Sequence, residues 1–391
     1  MKFFGDEQKN NKTIKWVFGI PLLVREGYTL SLYFGNFPLV QRIRYITYMT
    51  NIYVWGGGKE INDFAFKICG ITIYTTHRYK AYTNLPSLQK NTLINQSLAT
   101  DDKILDKLQS LCANLDTASK QTIYAIISRE RQAYHSPNGR IYTLTQQELD
   151  ELNLIATNFY PKIFEIAPKI FYYNGYLLPI KQFETSVFWH KHSLNILKTL
   201  PKIKNKDIID VGGFIGDSVL ILKDFTTKTI HTFEPTSSNH KLLLQTLKLN
   251  NISCAIPVKK ALGSKPDTLT MSIYGGASSL IRTHKNSPKE SIEVTTLDIY
   301  AREHNLDIGF IKVDIEGFEM EFLKGARATI ESQKPAMLIS IYHKSDDFFY
   351  IKPMLESWNL GYTFYVHKPI DGGISGEMAL FCEVLDSSDL D

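Results

Sequence analysis

The spacing of apolar residues changes along this chain of 391 residues. From Trp16 to about Thr76 the sequence is rich in aromatic and β-branched residues, as in the run from Gly27 to Phe34, and this pattern predicts β-strands. The glycine run Gly56–Gly58 within that stretch predicts a flexible turn. From about Leu88 to Tyr134, and again from Thr145 to Ile166, apolar residues recur at helical spacing. We therefore expect an amino-terminal region of α+β structure.

Beyond Asp207, short apolar runs alternate with helical patterns, which is typical of a parallel sheet whose strands are connected by helices. Seven runs are predicted to be strands: Ile208–Val211, Thr229–Phe233, Ala255–Lys260, Gly309–Val313, Met337–Tyr342, Tyr362–His367 and Met378–Val384. Four segments are predicted to be helices: Asp217–Phe225, Ser237–Leu249, Phe318–Ser332 and Asp346–Trp358. A β-like insert, Thr268–Tyr274 and Ile292–Thr296, separates the third strand from the fourth. This half of the chain is therefore predicted to be a doubly wound, seven-stranded Rossmann-like α/β domain.

The length and composition of the chain indicate two domains. The chain exceeds the usual size of one domain, and its 43% hydrophobic and 21% charged residues are ordinary for a protein that buries a core. We place the boundary near residue 170. Residues 1–170 then form an accessory region in which we find no motif, and residues 171–391 contain the α/β domain.

Charge and cysteine usage narrow the class of protein further. The net charge of +4 is small for this length and argues against a dedicated nucleic-acid binder. The four cysteines, Cys69, Cys112, Cys254 and Cys382, are far apart and indicate neither a zinc site nor a disulfide framework. The apolar run Val17–Val24 is short and contains Pro21, which is a poor signal peptide and too short to span a bilayer. We therefore expect a cytoplasmic protein without a transmembrane segment.

A dense glycine loop follows the first predicted strand of the α/β domain. The segment from Asp207 to Asp217 reads Asp-Ile-Ile-Asp-Val-Gly-Gly-Phe-Ile-Gly-Asp. Gly212, Gly213 and Gly216 let the backbone turn sharply and approach a ligand closely. In an open α/β sheet the ligand crevice lies beyond the carboxyl ends of the strands. We therefore predict that these three glycines bind a cofactor.

The register of this loop and its acidic neighbours favour a nucleoside without phosphate. The dinucleotide fingerprint is G-x-G-x-x-G, whereas this loop reads G-G-x-x-G. Asp210 and Asp217 would repel a pyrophosphate, but they suit the cationic sulfonium and ammonium groups of S-adenosylmethionine. Glu234 ends the second strand, where a carboxylate can accept hydrogen bonds from both ribose hydroxyls. We therefore assign Asp210 and Glu234 to the binding of S-adenosylmethionine.

Several motifs in this half of the chain resemble those of the FkbM-type S-adenosylmethionine-dependent methyltransferases. They are Ile209–Gly216, Phe233–Pro235, Thr295–Asp298, Ile311–Glu319, Leu323–Ala326 and Ile339–His343. The run Lys312-Val-Asp-Ile-Glu-Gly317 is the most distinctive of them. The resemblance extends over roughly Val187 to Val384, about half of the chain.

The resemblance implies an O-methyltransferase that acts on a sugar hydroxyl of a surface glycan or its precursor, or on a secondary metabolite. We favour a carbohydrate acceptor, and residues 1–170 would then serve acceptor recognition. The chain departs from the family at one point, because Gly212-Gly213-Phe214 stands where many relatives have Gly-Ala-Asn. Any contact that the asparagine side chain supplies is therefore missing.

Methyl transfer requires that the acceptor oxygen be aligned and its proton removed. Asp314 and Glu316 follow the fourth strand and His343 follows the fifth, so we predict these three residues to be catalytic, with His343 as the general base. Glu184 lies in the segment that leads into the first strand, and we expect it to line the cofactor cleft. The two acids also suggest a metal site, but Gly317 interrupts the strand after Glu316, and we expect no required metal.

Two other functions remain open at this point. A nicotinamide-dependent oxidoreductase would use the same fold, although the glycine register and the acids disfavour it. A catalytically silent nucleoside-binding scaffold would keep the cofactor motifs without turnover. Binding of S-adenosylmethionine and production of a methylated acceptor would exclude both alternatives.

Overall fold

The computed structural model describes residues 86–272 and 289–389, together with the backbone of seven strands between Phe4 and Tyr79. The predicted glycine turn at residues 56–58 and the end of the predicted strand at Tyr274 lie outside the described residues. The chain divides into two compact units, Met1–Ser87 and Leu88–Asp391.

The first unit contains a seven-stranded antiparallel sheet in which each strand pairs with the next one along the chain. The strands are β1 (Phe4–Lys9), β2 (Lys12–Val17), β3 (Ile20–Glu26), β4 (Thr29–Phe34), β5 (Phe37–Tyr48), β6 (Glu60–Ile68) and β7 (Ile71–Tyr79). The aromatic and β-branched composition of this stretch agrees with its strand structure.

The second unit begins with small elements that precede the large sheet. They are β8 (Leu88–Gln89), α1 (Asn95–Thr100), α2 (Ile104–Cys112), α3 (Thr117–His135), β9 (Arg140–Ile141), α4 (Gln146–Leu154), β10 (Phe164–Ala167), β11 (Ile170–Tyr173) and β12 (Tyr176–Leu178). Single turns of π-helix or 3-10 helix lie at Ile155–Phe159, Tyr160–Lys162, Thr185–Trp189, Lys191–Ile196 and Leu200–Ile203. Helix α3 begins after Asp116, whose carboxylate accepts a hydrogen bond from the Ser119 backbone, and α4 begins with a capping box between Thr145 and Glu148.

The remainder of the second unit alternates strands and helices as predicted. The elements are β13 (Asp207–Val211), α5 (Asp217–Leu222), β14 (Ile230–Phe233), α6 (Ser237–Leu249), β15 (Ala255–Val258), β16 (Ala261–Leu262), β17 (Asp267–Ser272), β18 (Lys289–Thr295), α7 (Leu297–Glu303), β19 (Ile308–Val313), α8 (Glu319–Gly325), α9 (Arg327–Gln333), β20 (Ala336–Ser340), α10 (Ser345–Ser357), β21 (Thr363–His367) and β22 (Ala379–Glu383). A last 3-10 turn covers Ser387–Asp389. Strands β16, β17 and β18 form the small sheet that the β-like insert predicted.

The large sheet has the strand order β15-β14-β13-β19-β20-β22-β21. The first five strands in this order are parallel to one another, and β22 is antiparallel to both β20 and β21. The order reverses between β13 and β19, where the chain leaves one half of the sheet for the other. Such a switch point opens a crevice at the carboxyl ends of the strands. The loops after β13, β14, β19 and β20 therefore surround one crevice, and the predicted seven-stranded Rossmann-like fold is confirmed.

The core of the second unit joins the amino-terminal helices to the sheet. Leu98 of α1 and Ile123 of α3 are fully buried in the same cluster as Ile311 of β19 and Ile351 of α10. Residues 88–135 thus belong to the same compact unit as the large sheet. The sequence places the domain boundary near residue 170, whereas the two compact units divide between Ser87 and Leu88.

One predicted helix is interrupted. The segment Phe318–Ser332 contains α8 and α9, which meet at Ala326. A Cβ atom on Gly325 would lie 1.9 Å from the carbonyl oxygen of Gly263, so the end of α8 packs directly on another backbone. Across the described part of the chain, no helix combines the length and apolar character needed to cross a bilayer.

Candidate active site

The glycine loop after β13 packs so closely that side chains are excluded at two positions. A Cβ atom on Gly212 would lie 1.8 Å from the carbonyl oxygen of Asp314, and one on Gly213 would lie 2.1 Å from Thr232 Oγ1. Gly212 and Gly216 also have φ angles of 90° and 82°, in the left-handed region that glycine adopts without strain. The three glycines therefore let the loop turn tightly against the ends of β14 and β19.

Asp210 forms a buried ion pair beneath this loop. Its carboxylate is fully buried, and it accepts hydrogen bonds from Lys312 Nζ at 3.1 Å and from Thr232 Oγ1 at 2.7 Å. Lys312 Nζ also donates to the carbonyl oxygen of Gly212 at 3.1 Å. Burial alone would lower the pKa of Lys312, but the carboxylates of Asp210, Asp314 and Asp217 hold that pKa well above its usual value. The ion pair between Asp210 and Lys312 therefore holds the glycine loop in place.

A first cleft, mostly apolar, lies between the glycine loop and the ends of β14 and β19. It has an empty volume of about 590 Å³ on a measure that includes space open to solvent. Its lining residues are Val211, Gly212, Phe214, Phe233, Glu234, Pro235, Asn239, Ala261, Leu262, Met271, Asp314, Ile315, Glu316 and Phe318. The carboxylate of Glu234 accepts hydrogen bonds from the backbone and hydroxyl of Thr236, at 2.9 and 2.6 Å. Burial nevertheless raises the pKa of Glu234 to about 7.

A second, larger and more polar cleft lies on the other side of the glycine loop. Its empty volume is about 1000 Å³ on the same measure, and its lining residues are Gln182, Glu184, Ser186, Val187, His192, Gly212, Phe214, Asp217, Ser218, Lys312, Asp314, Glu316, Tyr342 and Glu377. Four residues line both clefts: Gly212, Phe214, Asp314 and Glu316. The two clefts therefore meet at the glycine loop and the loop after β19.

Carboxyl groups dominate the second cleft. Burial, together with Asp217 and Asp314, raises the pKa of Glu184 to about 7. Burial is also the main cause that raises the pKa of Asp217 to about 6, although Lys312 opposes it. The pKa of Glu377 is raised to about 8 by burial and by the charges of Glu184 and Asp314. These carboxyl groups therefore lack sufficient neutralising partners within the described residues, and a cationic or hydrogen-bond-donating ligand would favour their ionised forms.

His343 lies behind the clefts, because it is only 3% exposed and is not among the lining residues of either. Its Nδ1 lies 2.9 Å from Glu319 Oε1, and its Nε2 lies 3.5 Å from Asp314 Oδ1 and 3.8 Å from Glu316 Oε1. Burial alone would lower the pKa of His343, but these three carboxylates raise it to about 10. These contacts favour the protonated ring, and the ring lies behind Asp314. The position of His343 therefore speaks against the base role that we predicted.

The structure brings most of the predicted site residues together. Gly212, Glu184, Glu234, Asp314 and Glu316 line the clefts, whereas Asp210, Gly213, Gly216 and His343 support the loops from within. Asp210 was expected to contact the cofactor, but its carboxylate is turned toward Lys312 and Thr232.

Phe214, Lys312, Tyr342 and Glu377 are among the lining residues that sequence analysis did not assign to the site. Lys312 could have been found, since it lies next to the end of β19, where the carboxyl ends of the strands surround the crevice. The Tyr342 hydroxyl donates a hydrogen bond to Glu377 Oε1 at 3.2 Å. These two residues come from separate loops after β20 and before β22, and no local pattern connects them.

Comparison with known proteins identifies the domain. Residues 210–364 match the family model of the methyltransferase FkbM domain. The relative named methyltransferase 1, from Beauveria bassiana strain ARSEF 2860, is 25% identical over 186 residues, which cover 41% of this chain and 74% of the relative.

Two solved structures are also similar. The match to methyltransferase FkbM from Methylobacillus flagellatus KT has 19% identity and a TM-score of 0.44, and it covers 72% of this chain and 59% of that chain. This chain thus matches about three fifths of the length of that protein. The match to M. jannaschii TYW2 in complex with AdoMet has 14% identity and a TM-score of 0.29, and it covers 57% of this chain and 90% of that chain. Residues 210–364 therefore match the methyltransferase FkbM domain, and this match supports an S-adenosylmethionine-dependent methyltransferase, as the motif Lys312–Gly317 predicted.

Proposed function

We propose that this protein transfers a methyl group to a hydroxyl oxygen of a carbohydrate that binds in the second cleft. The proposal rests on one observation: the two clefts meet at Asp314 and Glu316, which line both of them. One cleft has the apolar walls and, in Glu234, the carboxylate that suit a nucleoside. The other cleft is lined by carboxyl groups, which accept hydrogen bonds from the many hydroxyl groups of a sugar.

The donor set of the first cleft fits S-adenosylmethionine. Glu234 would accept the hydrogen bonds of the ribose hydroxyls, and Phe214 and Leu262 would contact the adenine ring. Glu184 and Asp217, which line the neighbouring cleft, would face the cationic end of the methionine part. S-adenosylmethionine supplies a methyl group bonded to a positively charged sulfur, which becomes a neutral thioether when the methyl group is lost.

At the junction of the clefts, Asp314 and Glu316 would hold the acceptor hydroxyl in line with the methyl carbon. A lone pair of the acceptor oxygen forms the new C–O bond, and the electrons of the C–S bond return to sulfur. Glu377 takes up the hydroxyl proton. Burial and the charges of Glu184 and Asp314 raise its pKa to about 8, and the cationic cofactor would favour its ionised form, which can then accept the proton. The Tyr342 hydroxyl orients its carboxylate.

The charge of the second cleft supports a neutral or cationic acceptor over a nucleic acid. Five acidic residues line it: Glu184, Asp217, Asp314, Glu316 and Glu377. Lys312, which lines the same cleft, is engaged by Asp210 and by the carbonyl of Gly212. A phosphate backbone would therefore meet a cleft lined mainly by acidic groups. Recognition of the acceptor beyond the reacting sugar is a role that we assign to the unit Met1–Ser87, which contains none of the cofactor motifs.

The proposal is tested with S-adenosylmethionine carrying an isotopic label in its methyl group. The purified protein is incubated with neutral oligosaccharides, amino sugars, RNA and small phenols, and the products are fragmented by mass spectrometry. We expect an O-methyl group on a sugar, and a Glu377→Gln variant that binds S-adenosylhomocysteine normally but turns over about 10²–10⁴ times more slowly. Label found only on a nitrogen or carbon atom, or only in RNA, would contradict the proposal.

A further inference from the structure

The hydrogen bond between Tyr342 and Glu377 joins two loops that lie outside regular structure. Tyr342 follows β20, which ends at Ser340, and Glu377 precedes β22, which begins at Ala379. The Tyr342 hydroxyl donates to Glu377 Oε1 at 3.2 Å. Backbone groups in such loops need partners outside the sheet. The distance between the two side chains therefore depends on what holds the two loops.

A short segment at the start of the second unit contacts both loops. The carbonyl oxygen of Gln89 accepts the N–H of Ile374, in the loop before β22, at 2.9 Å. The side chain of Asn91 reaches the other loop, where its Nδ2 donates to the carbonyl oxygen of Tyr342 at 3.0 Å. We call residues 89–91 the bridging segment, because its two ends hold the two loops at one spacing.

Glu130 of helix α3 fixes the bridging segment in turn. Its Oε1 accepts a hydrogen bond from the Asn91 backbone at 3.0 Å and another from Ser375 Oγ at 2.7 Å. Glu130 is fully buried, and a buried carboxylate is costly unless donors such as these satisfy it. The N–H of Lys90 also donates to the carbonyl oxygen of Gly139, shortly after α3, at 3.0 Å. The position of the bridging segment is therefore set by α3 and the residues that follow it.

The side-chain amide of Asn91 serves two purposes. Its Oδ1 accepts the backbone N–H of Leu93 at 2.9 Å, which closes a local turn before α1. Its Nδ2 is thereby directed at the carbonyl oxygen of Tyr342. A serine at this position can still close the turn through its hydroxyl, but it is too short to reach the Tyr342 loop. The two functions of the amide can therefore be separated by one substitution.

We infer that Asn91 and Glu130 are positioning residues for methyl transfer. Together they hold the two loops so that the Tyr342 hydroxyl keeps the carboxylate of Glu377 oriented toward the acceptor hydroxyl. The role of Glu377 as proton acceptor belongs to the proposed function, and that part of the inference rests on it. Both positioning residues lie outside residues 210–364, so the reaction would depend on side chains from outside the segment that matches the family model.

The inference is tested first on the full-length protein without cofactor or acceptor, by a ¹³C NMR titration of the Glu377 carboxyl. The signal is assigned by its loss in Glu377→Gln. The charges of Glu184, Asp314 and Asp371 raise the pKa of this carboxyl and a hydrogen bond from Ser186 lowers it, and the substitutions below leave these four residues unchanged.

Tyr342→Phe removes a donor to the ionised carboxylate, so the pKa of Glu377 should rise by about 0.5–1 pH unit. Asn91→Ser should produce most of the same rise, because the Tyr342 loop loses its partner. The double variant should titrate as Tyr342→Phe alone does, since Asn91 acts through the Tyr342 hydroxyl. An unshifted Glu377 pKa in folded Asn91→Ser, or shifts that add in the double variant, would overturn the inference.

Thr199→Val is the matched control. The Thr199 hydroxyl donates to the buried carboxylate of Glu383 at 2.8 Å, at the opposite end of β22 from Glu377. The substitution therefore removes one hydrogen bond of a similar kind without touching either loop. Its melting temperature should fall, but the pKa of Glu377 should stay unchanged. A shift as large as that in Asn91→Ser would mean that general loosening explains the result, and the inference would fail.

Ser375→Ala tests the same network from the other loop and remains informative if Asn91→Ser is unfolded. It removes a donor to Glu130 and releases the loop that contains Glu377. It should raise the pKa of Glu377 in the unaltered protein but leave it unchanged when Tyr342 is already phenylalanine. A Glu377 pKa that does not respond to Ser375→Ala would contradict a positioning role for Glu130.

Turnover gives a second readout once a methylated sugar has been identified. Asn91→Ser should lower kcat by about 10-fold or more, while the KM of the acceptor and the affinity for S-adenosylhomocysteine stay the same. An unchanged kcat would overturn the positioning role and leave the proposed function intact. If no sugar is methylated, the proposed function fails alone, because the titration of Glu377 needs no acceptor and still decides whether Asn91 and Glu130 position it.

Discussion

The Glu130 carboxylate on helix α3 accepts a hydrogen bond from Ser375 Oγ at 2.7 Å, across 245 residues of sequence. Glu130 is fully buried, as is Ser375. The same carboxylate accepts hydrogen bonds from the Asn91 backbone at 3.0 Å and from Asn95 Nδ2 at 2.7 Å. Ser375 lies two residues before Glu377, so this buried group fixes the loop that carries a carboxylate of the second cleft.

We predict that Glu130→Ala destabilises the protein by about 2–4 kcal/mol, because three donors lose a buried acceptor. Ser375→Ala removes one of these donors and should cost about 1 kcal/mol. The two substitutions should not add, and a double-mutant cycle in urea should give a coupling energy of about 0.5–3 kcal/mol. Additive effects would mean that Glu130 does not hold the loop through Ser375.

The carboxyl pKa of Glu234 predicts how cofactor affinity depends on pH. That pKa is raised to about 7 by burial, and ribose hydroxyls would donate to the ionised form. Affinity for S-adenosylhomocysteine should therefore be highest above pH 8, and it should fall toward tenfold per pH unit once the pH is well below 7. Calorimetry from pH 5.5 to 8.5 tests this.

The matched variant is Glu234→Gln, since other carboxyl groups of the site also titrate in this range. Its binding should be weaker at pH 8 and should lose the part of the pH dependence that belongs to Glu234. The raised pKa of Glu234 affects folding stability in the opposite direction to cofactor affinity. A carboxyl pKa raised by folding makes the unaltered protein lose stability as pH rises from about 4.5 to 7, and the glutamine variant should lack this decline. Identical pH profiles for the two proteins would rule out Glu234 as the group whose ionisation controls cofactor affinity.

Substitutions at two glycines can distinguish the stability cost of backbone strain from the cost of close packing. Gly212 and Gly361 have similar φ angles, 90° and 84°. A Cβ on Gly212 would lie 1.8 Å from the Asp314 carbonyl oxygen, whereas one on Gly361 would meet nothing within 4 Å. Gly361→Ala should therefore cost only the backbone term, about 1–2 kcal/mol. Gly212→Ala should cost clearly more and abolish binding of S-adenosylhomocysteine, which thermal denaturation and calorimetry will show. Equal costs would contradict the close approach of the two loops.

Local sequence predicted the large sheet well, because strands such as Ile308–Val313 are buried apolar runs that alternate with helical segments. The glycine loop and Glu234 were found for the same reason, since each follows directly from the end of a strand. Residues supplied by distant segments were not found in this way. Glu130 lies in a helical segment and Glu377 in a loop, and neither segment contains a motif. Only the tertiary packing shows that both residues belong to the structure around the loop that contains Ser375. The role of His343 depended on three carboxylates around it, which no spacing in the sequence indicates.

The division of the chain between Ser87 and Leu88 predicts which truncations preserve the methyltransferase. Leu98 and Ile123 are buried in the same core as Ile311, so a chain that begins at Phe171 loses part of that core. Each large apolar residue removed from a core costs about 2–5 kcal/mol, and a protein is stable by only about 5–15 kcal/mol. We therefore expect the chain that begins at Phe171 to be unfolded, whereas residues 88–391 fold and bind S-adenosylhomocysteine as the full chain does.

The same pair of truncations tests the assignment of acceptor recognition. If the unit Met1–Ser87 recognises the acceptor, residues 88–391 should methylate a simple sugar as fast as the full chain does but should transfer slowly to the native glycan. Circular dichroism reports folding, calorimetry reports cofactor affinity, and transfer rates to both acceptors complete the comparison. Equal rates on the native glycan would remove acceptor recognition from the first unit, because the second unit would then contain everything that the reaction needs. A folded, cofactor-binding chain that begins at Phe171 would instead show that helices α1 to α3 are dispensable, contrary to their burial in the common core.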